Sequence, residues 1–298
     1  MKYVNLDDKF FNRLETLAFN LKSHLLGYFG GKHLVSTYGQ TVEFADFREY
    51  QLGDDIRRID WNLFSRFEKY FIKLFTDERQ MHVQIFIDCS ASMGKDNPEK
   101  ASYAIAAAAA IGFLAVHNMD KVSFHLMKGN RAENPFGTII GKNAFFRAIG
   151  QLETLEFDGE SDVEKCLLST ETGSNNGLTV IISDLFTDAN WKKGVDYLCY
   201  KKRQVMLVQP LTPAEIEPSF DGRVNLIDSE SVDIADDKNM KIRITRSSQL
   251  AYMEALKDFY DDIKTFSRKR GVDYISISTD MPIEKVLFGE LLKVGIIS

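Results

Sequence analysis

Val83-Gln84-Ile85-Phe86-Ile87-Asp88 runs directly into Cys89-Ser90-Ala91-Ser92-Met93-Gly94, and this junction decides the fold. The first six residues are rich in β-branched and aromatic side chains, the composition of a strand. Shortly after, Asp96-Asn97-Pro98-Glu99 supplies an N-cap and a proline at the first helical position, opening a helix that runs to about His117. Small side chains from Ala104 to Ala110 let that helix lie close against a sheet. The same alternation continues downstream. Strands are expected at Lys121–Met127, Leu178–Ser183, Gln204–Val208 and Val272–Ser278, with a short edge strand at Phe136–Ile140. Helices are expected at Lys142–Leu152, Asp162–Leu168, Ala189–Lys201 and Leu250–Arg268. A βαβα rhythm demands a mostly parallel sheet covered by helices. The expected fold is therefore α/β, a doubly wound, mostly parallel six-stranded sheet of Rossmann-like type.

Two regions stand outside this rhythm. Upstream, Phe10, Leu14, Leu17, Ala18, Leu21 and Leu25 fall three and four apart, the apolar face of a helix. Such a face packs on its own domain or docks on a partner or membrane surface. Gly30 to Arg79 follows, with glycines between short stretches and a strand-like run at Tyr70–Phe75. Its charges are interleaved with Phe44, Phe47, Tyr50 and Trp61, so arginine–carboxylate pairs beside aromatic anchors would hold it rigid. Arg57, Arg58, Asp60 and Trp61 fit an internal cluster of this kind better than a binding surface. Downstream, Val224–Thr245 alternates like a hairpin. The expected organisation is a helix and β-rich leader lobe over 1–80 and the α/β domain over 81–298, with 224–245 as a hairpin insertion packing on the leader.

The chain has 298 residues, 44% of them hydrophobic, enough for one substantial core. Its formal charge of −6 lacks the basic excess of a general nucleic-acid binder, and no nucleic-acid partner is expected. Cys89, Cys166 and Cys199 are odd in number, far apart and without a CxxC pair, which fits a reducing compartment. The acidic N-terminus does not read as a signal peptide. The stretch around Ala101–Val116 is broken by Tyr103 and Gly112 and reads as a buried helix. The expected location is cytoplasmic, with no integral membrane segment.

Asp88-x-Ser90-x-Ser92 follows a buried strand and precedes a helix, at the sheet edge where α/β proteins bind ligands. One carboxylate and two hydroxyls on one side of a turn are the oxygen donors a hard cation such as Mg²⁺ or Mn²⁺ prefers. Gly159-Glu160-Ser161-Asp162 and Ser183-Asp184 lie at comparable loop positions, and Ser161 and Asp184 would add a hydroxyl and a carboxylate. Alone, the first turn is equally a helix-capping turn. A metal held by only two carboxylates remains short of negative charge, and an acidic side chain of a protein partner is its natural last ligand. Cys89 reads as a small buried hydrophobe. The histidines show no zinc spacing, and His82 and His125 read as structural. Catalysis is not expected. Ser90-Ala91-Ser92-Met93-Gly94 lacks the first glycine of a hydrolase elbow, an Asp88 nucleophile lacks a second acid two residues on, and no phosphate loop is present. The alternatives are a metal-independent scaffold with a vestigial site, or a hydrolase using Ser92 or Asp88.

Taken together, the three loops resemble the metal-ion-dependent adhesion site of von Willebrand A domains, with Asp88, Ser90, Ser92, Ser161 and Asp184 at its five positions. Ser161 stands where threonine is commoner, which keeps the hydroxyl. The stretch from Gly39 to Trp61, including Glu43, Asp46, Arg48, Tyr50, Gly53, Asp54, Arg57, Asp60 and Trp61, resembles the signature of the bacterial domain-of-unknown-function family fifty-eight. The resemblance covers nearly the whole chain from about Gly30. It implies an A-type domain behind such a leader and a partnership with a MoxR-type AAA+ ATPase in assembly or maturation of client proteins.

Overall fold

The computed structural model describes residues 6–7, 9–16, 42–51, 54–77, 81–95, 97–171, 177–187, 189–217, 223–226, 240–243, 246–283, 285 and 289. They divide between two compact units, Met1–Leu25 with Met81–Ser298, and Leu26–Gln80.

The large unit is built on six strands: β3 (His82–Asp88), β4 (Lys121–Lys128), β5 (Arg131–Glu133), β6 (Leu178–Ile182), β7 (Gln204–Leu211) and β10 (Asp273–Ser278). Their order is β10-β7-β6-β3-β4-β5, with every pairing parallel except β4–β5. β6 is buried at every residue and β3 at every residue after His82, which explains why both read as continuous apolar runs. Helices α5 (Val163–Ser169), α6 (Trp191–Tyr200) and α8 (Arg246–Arg270) contribute Leu167, Trp191, Leu198 and Ile263 to a core with Phe86, Ile181 and Leu207. Gly112 of α3 (Pro98–His117) lies against Phe124 of β4 and Phe145 of α4 (Lys142–Leu152), so close that an added Cβ would come within 2.9 Å of the Phe145 ring. α3 is long and apolar enough to cross a bilayer, yet it is buried continuously from Ala104 to Val116 within this unit. Its N-cap is Asn97, as expected, but that side chain makes no cap hydrogen bond.

The edge strand departs from expectation. It lies at Arg131–Glu133, not at Phe136–Ile140, of which only Ile139 bridges to Val122. Gly129 takes φ +55° and, with Asn130, makes the two-residue turn that returns the chain beside β4. Turn geometry outweighed the more strand-like apolar composition downstream.

A buried polar cluster lies on the central strands β3, β4 and β6. The Ser123 hydroxyl is 2.9 Å from Nε2 of both His82 and His125, and the His125 ring stacks on Phe86. Arg203 donates to Thr179 Oγ1 and to the His82 and Leu178 carbonyls. Burial, then neighbouring positive charge, pushes both histidines down to about 4. The unfolded chain therefore binds these protons first. The stability they contribute is full above about pH 6.5 and is lost as pH falls towards 4. Asp120, raised by burial to about 6, has the opposite sign, so a difference measurement isolates the histidine. His125→Phe keeps the stacking shape and removes the titration. Its stability relative to wild type, from urea unfolding at pH 7 and 4.5, should improve by about 2 kcal/mol at the lower pH. A pH-independent difference would refute this.

Helix α1, residues 9–16, belongs to the large unit. Phe10, Phe11 and Leu14 are buried, and Phe11 meets the rings of Phe113, Phe145 and Phe146. This differs from the expected 1–80 grouping, because the apolar face finds its aromatic counterpart on α3 and α4. Residues 17–25 of the expected helix lie outside the described residues.

In the small unit, β1 (Val42–Glu49) pairs antiparallel with β2 (Phe71–Asp77), with a register shift between Phe44 and Asp46. The unit is less purely β than expected, since a 3-10 turn (Ile56–Arg58) and helix α2 (Trp61–Phe67) lie between the strands. Glu43 and Asp46 lie on β1. Arg48 Nη2 reaches both Asp54 oxygens at 2.9 and 3.0 Å, an arginine–carboxylate pair of the expected kind. Asp60 caps α2, accepting from the Asn62 and Leu63 amides, while Arg57 and Trp61 are exposed. Tyr50 meets Tyr70 edge-on, and Gly53 lies outside the described residues. Within the expected hairpin, β8 (Arg223–Leu226) pairs antiparallel with β9 (Met240–Arg243), and residues 227–239 lie outside the described residues.

Candidate metal site

Because β3, β4, β6 and β7 are parallel, the loops at their carboxyl ends share one edge. β3 ends on Asp88, which is buried. Its Oδ1 accepts from the Ser90 amide at 3.0 Å and from the Ser161 hydroxyl at 2.6 Å. Its Oδ2 accepts from the Ser183 hydroxyl at 2.6 Å. The Ser90 and Ser92 hydroxyl oxygens lie 3.1 Å apart. Residues from three separated loops thus meet around one carboxylate.

Each loop is held by backbone contacts. Ser161 is brought in by Gly129, just past β4, through bonds from the Gly129 amide to the Glu160 carbonyl and from the Asp162 amide to the Gly129 carbonyl. The Asp158 amide donates to the Cys89 carbonyl and the Ala91 amide to the Gly159 carbonyl, tying this loop to the first. Gly94 completes the clamp. A Cβ there would stand 2.6 Å from Phe157 Cβ and Cγ, and Phe157 is buried. Gly94→Ala should therefore push the Ser161 loop off the Asp88 turn and destabilise the protein by about 1–3 kcal/mol. Urea unfolding checks this, and an unchanged midpoint would count against the clamp.

Asp184 follows β6 in a turn where Leu185, though bulky and buried, takes φ +60°, a conformation rare for such a side chain. The Phe186 amide caps Asp184 Oδ1 at 3.1 Å. Asp184 Oδ2 accepts from Lys100 Nζ at 2.6 Å. The same ammonium reaches Glu215 Oε1 at 2.8 Å, and Lys100 is fully buried. Glu215 lies on α7 (Pro213–Ile216), just past β7, in a capping box with Thr212.

Burial, reinforced by the charge of Asp184, pushes the Asp88 carboxyl above the usual range against the pull of its donors. Burial pushes Lys100 down, but the Asp184 and Glu215 carboxylates outweigh it and hold its pKa above the usual value. Burial raises the Cys89 thiol, which suits a small core side chain. Of the residues named from sequence, Asp88, Ser90, Ser92 and Ser161 are joined by direct contacts. Asp184 is adjacent through Ser183 and ion-paired to Lys100. Ser183, Lys100 and Glu215 were not assigned roles from sequence, although Ser183 stood beside Asp184 in the motif.

Among the described residues no group of three or more His, Cys, Asp or Glu side chains could hold a metal. The donors that converge here are mainly hydroxyls. Hydroxyl and carboxylate oxygens around one point fit a small hard cation such as Mg²⁺ or Mn²⁺.

The architecture is an α/β protein with an oxygen-rich polar site at the carboxyl edge of a mostly parallel sheet. The chain belongs to the family described as protein of unknown function DUF58, whose model matches residues 46–258. It is 28% identical over 231 residues to the uncharacterized protein Rv1480 of Mycobacterium tuberculosis, covering 76% of this chain and 72% of the relative. The uncharacterized protein Mb1516 of Mycobacterium bovis matches to the same extent. Among solved structures, conserved hypothetical protein BatB of Bacteroides thetaiotaomicron aligns with TM-score 0.43 and 12% identity, over 72% of this chain and 99% of that one.

Proposed function

We propose that this protein is a metal-ion-dependent protein-binding module, a doubly wound von Willebrand A-type domain rather than an enzyme. The observation that carries this reading is the meeting of Ser90, Ser161 and Ser183 on the two oxygens of Asp88, with Ser92 beside Ser90. Asp88 orients the Ser161 and Ser183 hydroxyls by accepting from them, which leaves their lone pairs free. Ser90, Ser92 and Ser161 would hold the cation, with Asp88 and Asp184 contributing directly or through water. Mg²⁺ or Mn²⁺ bound there supplies an electropositive position for an acidic side chain of a protein partner. The reading extends to an adaptor role with a MoxR-type AAA+ ATPase in the assembly or maturation of client proteins, and to the cytoplasm, on the family resemblance alone.

One observation favours a second reading, a metal-independent scaffold. Lys100 already supplies a positive charge to Asp184. Calorimetric titration with Mg²⁺ and Mn²⁺ separates the two, together with partner capture in the presence and absence of chelator. The binding function predicts saturable uptake and chelator-sensitive capture. Absent uptake with undiminished capture would favour the scaffold.

A further inference from the structure

Lys100 has no place in an arrangement that only grips a metal, yet it is fully buried and holds two carboxylates from different loops. We infer that Lys100 is the resident counter-ion of the site, exchanged on Asp184 against an incoming divalent cation and kept paired by Glu215 during that exchange. This rests on the metal-binding reading above and adds the residue that regulates it.

The argument is one of charge and burial. Asp88 and Asp184 are both buried and face each other's field, so two ionised carboxylates without a cation would repel in a poorly solvated place. The ammonium at 2.6 Å from Asp184 supplies such a cation from within the chain. When Asp184 turns towards a metal, a lysine with that partner alone would become a stranded buried charge, which is strongly unfavourable. Glu215 at 2.8 Å prevents this. Its other oxygen already accepts from the Thr212 amide and hydroxyl, so it stays in place while Asp184 moves. Glu215 is also tied to α8, since the Tyr260 hydroxyl donates to its carbonyl.

The exchange predicts opposite effects from two substitutions. Lys100→Met removes the competing cation, so Mg²⁺ should bind about tenfold tighter, and saturating Mg²⁺ should raise the melting temperature by ~2 °C more than in wild type. Glu215→Gln keeps an acceptor for the capping box but weakens the second partner, so Mg²⁺ should bind about tenfold more weakly. Calorimetry and thermal melts of the full chain with MgCl₂, against choline chloride at matched ionic strength, read both effects. Mg²⁺ affinity in Lys100→Met that is unchanged or weaker than wild type overturns the exchange. If that variant does not fold with or without Mg²⁺, Glu215→Gln decides, and wild-type affinity there overturns it. Normal uptake by wild type with neither variant altered sinks the exchange alone. Uptake by Lys100→Met but not by wild type sinks the binding function and upholds the exchange, and no uptake by any form sinks both.

Discussion

Asp88→Ala is expected to abolish measurable Mg²⁺ uptake and to lower the stability of the metal-free protein by about 2 kcal/mol. The two effects have separate origins. Uptake fails because the substitution removes a carboxylate and the acceptor that turns the Ser161 and Ser183 hydroxyls and the Ser90 amide inward. Stability falls because those three donors are left in a buried place without their acceptor, each worth on the order of 1–3 kcal/mol when orphaned. The loss is partly offset by relieving a carboxylate that burial and Asp184 both disfavour. Asp88→Asn should sit between, since its amide oxygen still accepts. Calorimetry and urea unfolding on the same samples check both halves. Full Mg²⁺ affinity in Asp88→Ala would remove this turn from any metal-binding role.

Phe11→Ala should cost about 3–5 kcal/mol, the range for emptying a buried aromatic site. Phe11 makes edge contacts with Phe145 and Phe146, at ring-centre distances of 6.1 and 5.1 Å, and a tilted contact with Phe113 at 5.2 Å. Such pairs add to the burial term. Leu14, one turn on, has no exposed surface. Helix α1 is also anchored at its edge, where Glu15 pairs with Lys142 at 3.1 Å. Exposed pairs of this kind contribute little, so the aromatic contacts decide the effect. Urea unfolding of the full chain tests it. A loss below about 1 kcal/mol would mean that this helix is held loosely and its apolar face serves another purpose.

The parallel strands were legible because burial on both faces leaves a plain mark, an unbroken apolar run such as Leu178–Ile182. The antiparallel edge was not. Arg131-Ala132-Glu133 has little apolar character, and its signal lay in the preceding Gly129-Asn130 turn. Within the site, Asp88, Ser90 and Ser92 could be read together because they are adjacent in sequence. Lys100 lies 84 residues from Asp184 and 115 from Glu215, and no local pattern marks their meeting. It depends on β6 and β7 lying side by side next to β3, which is a property of strand order. A lysine in the first turn of a helix ordinarily reads as a solvated charge, and only the closed fold makes it an interior one.

The three-residue strand at Arg131–Glu133 also bears on how the molecule behaves when crowded. A sheet border recruits foreign backbone in proportion to its length and flatness. Here two of the three residues are charged and Pro135 follows closely. An arriving chain would find too few main-chain groups to build a lasting ladder, which guards this flank against fibre growth at high concentration.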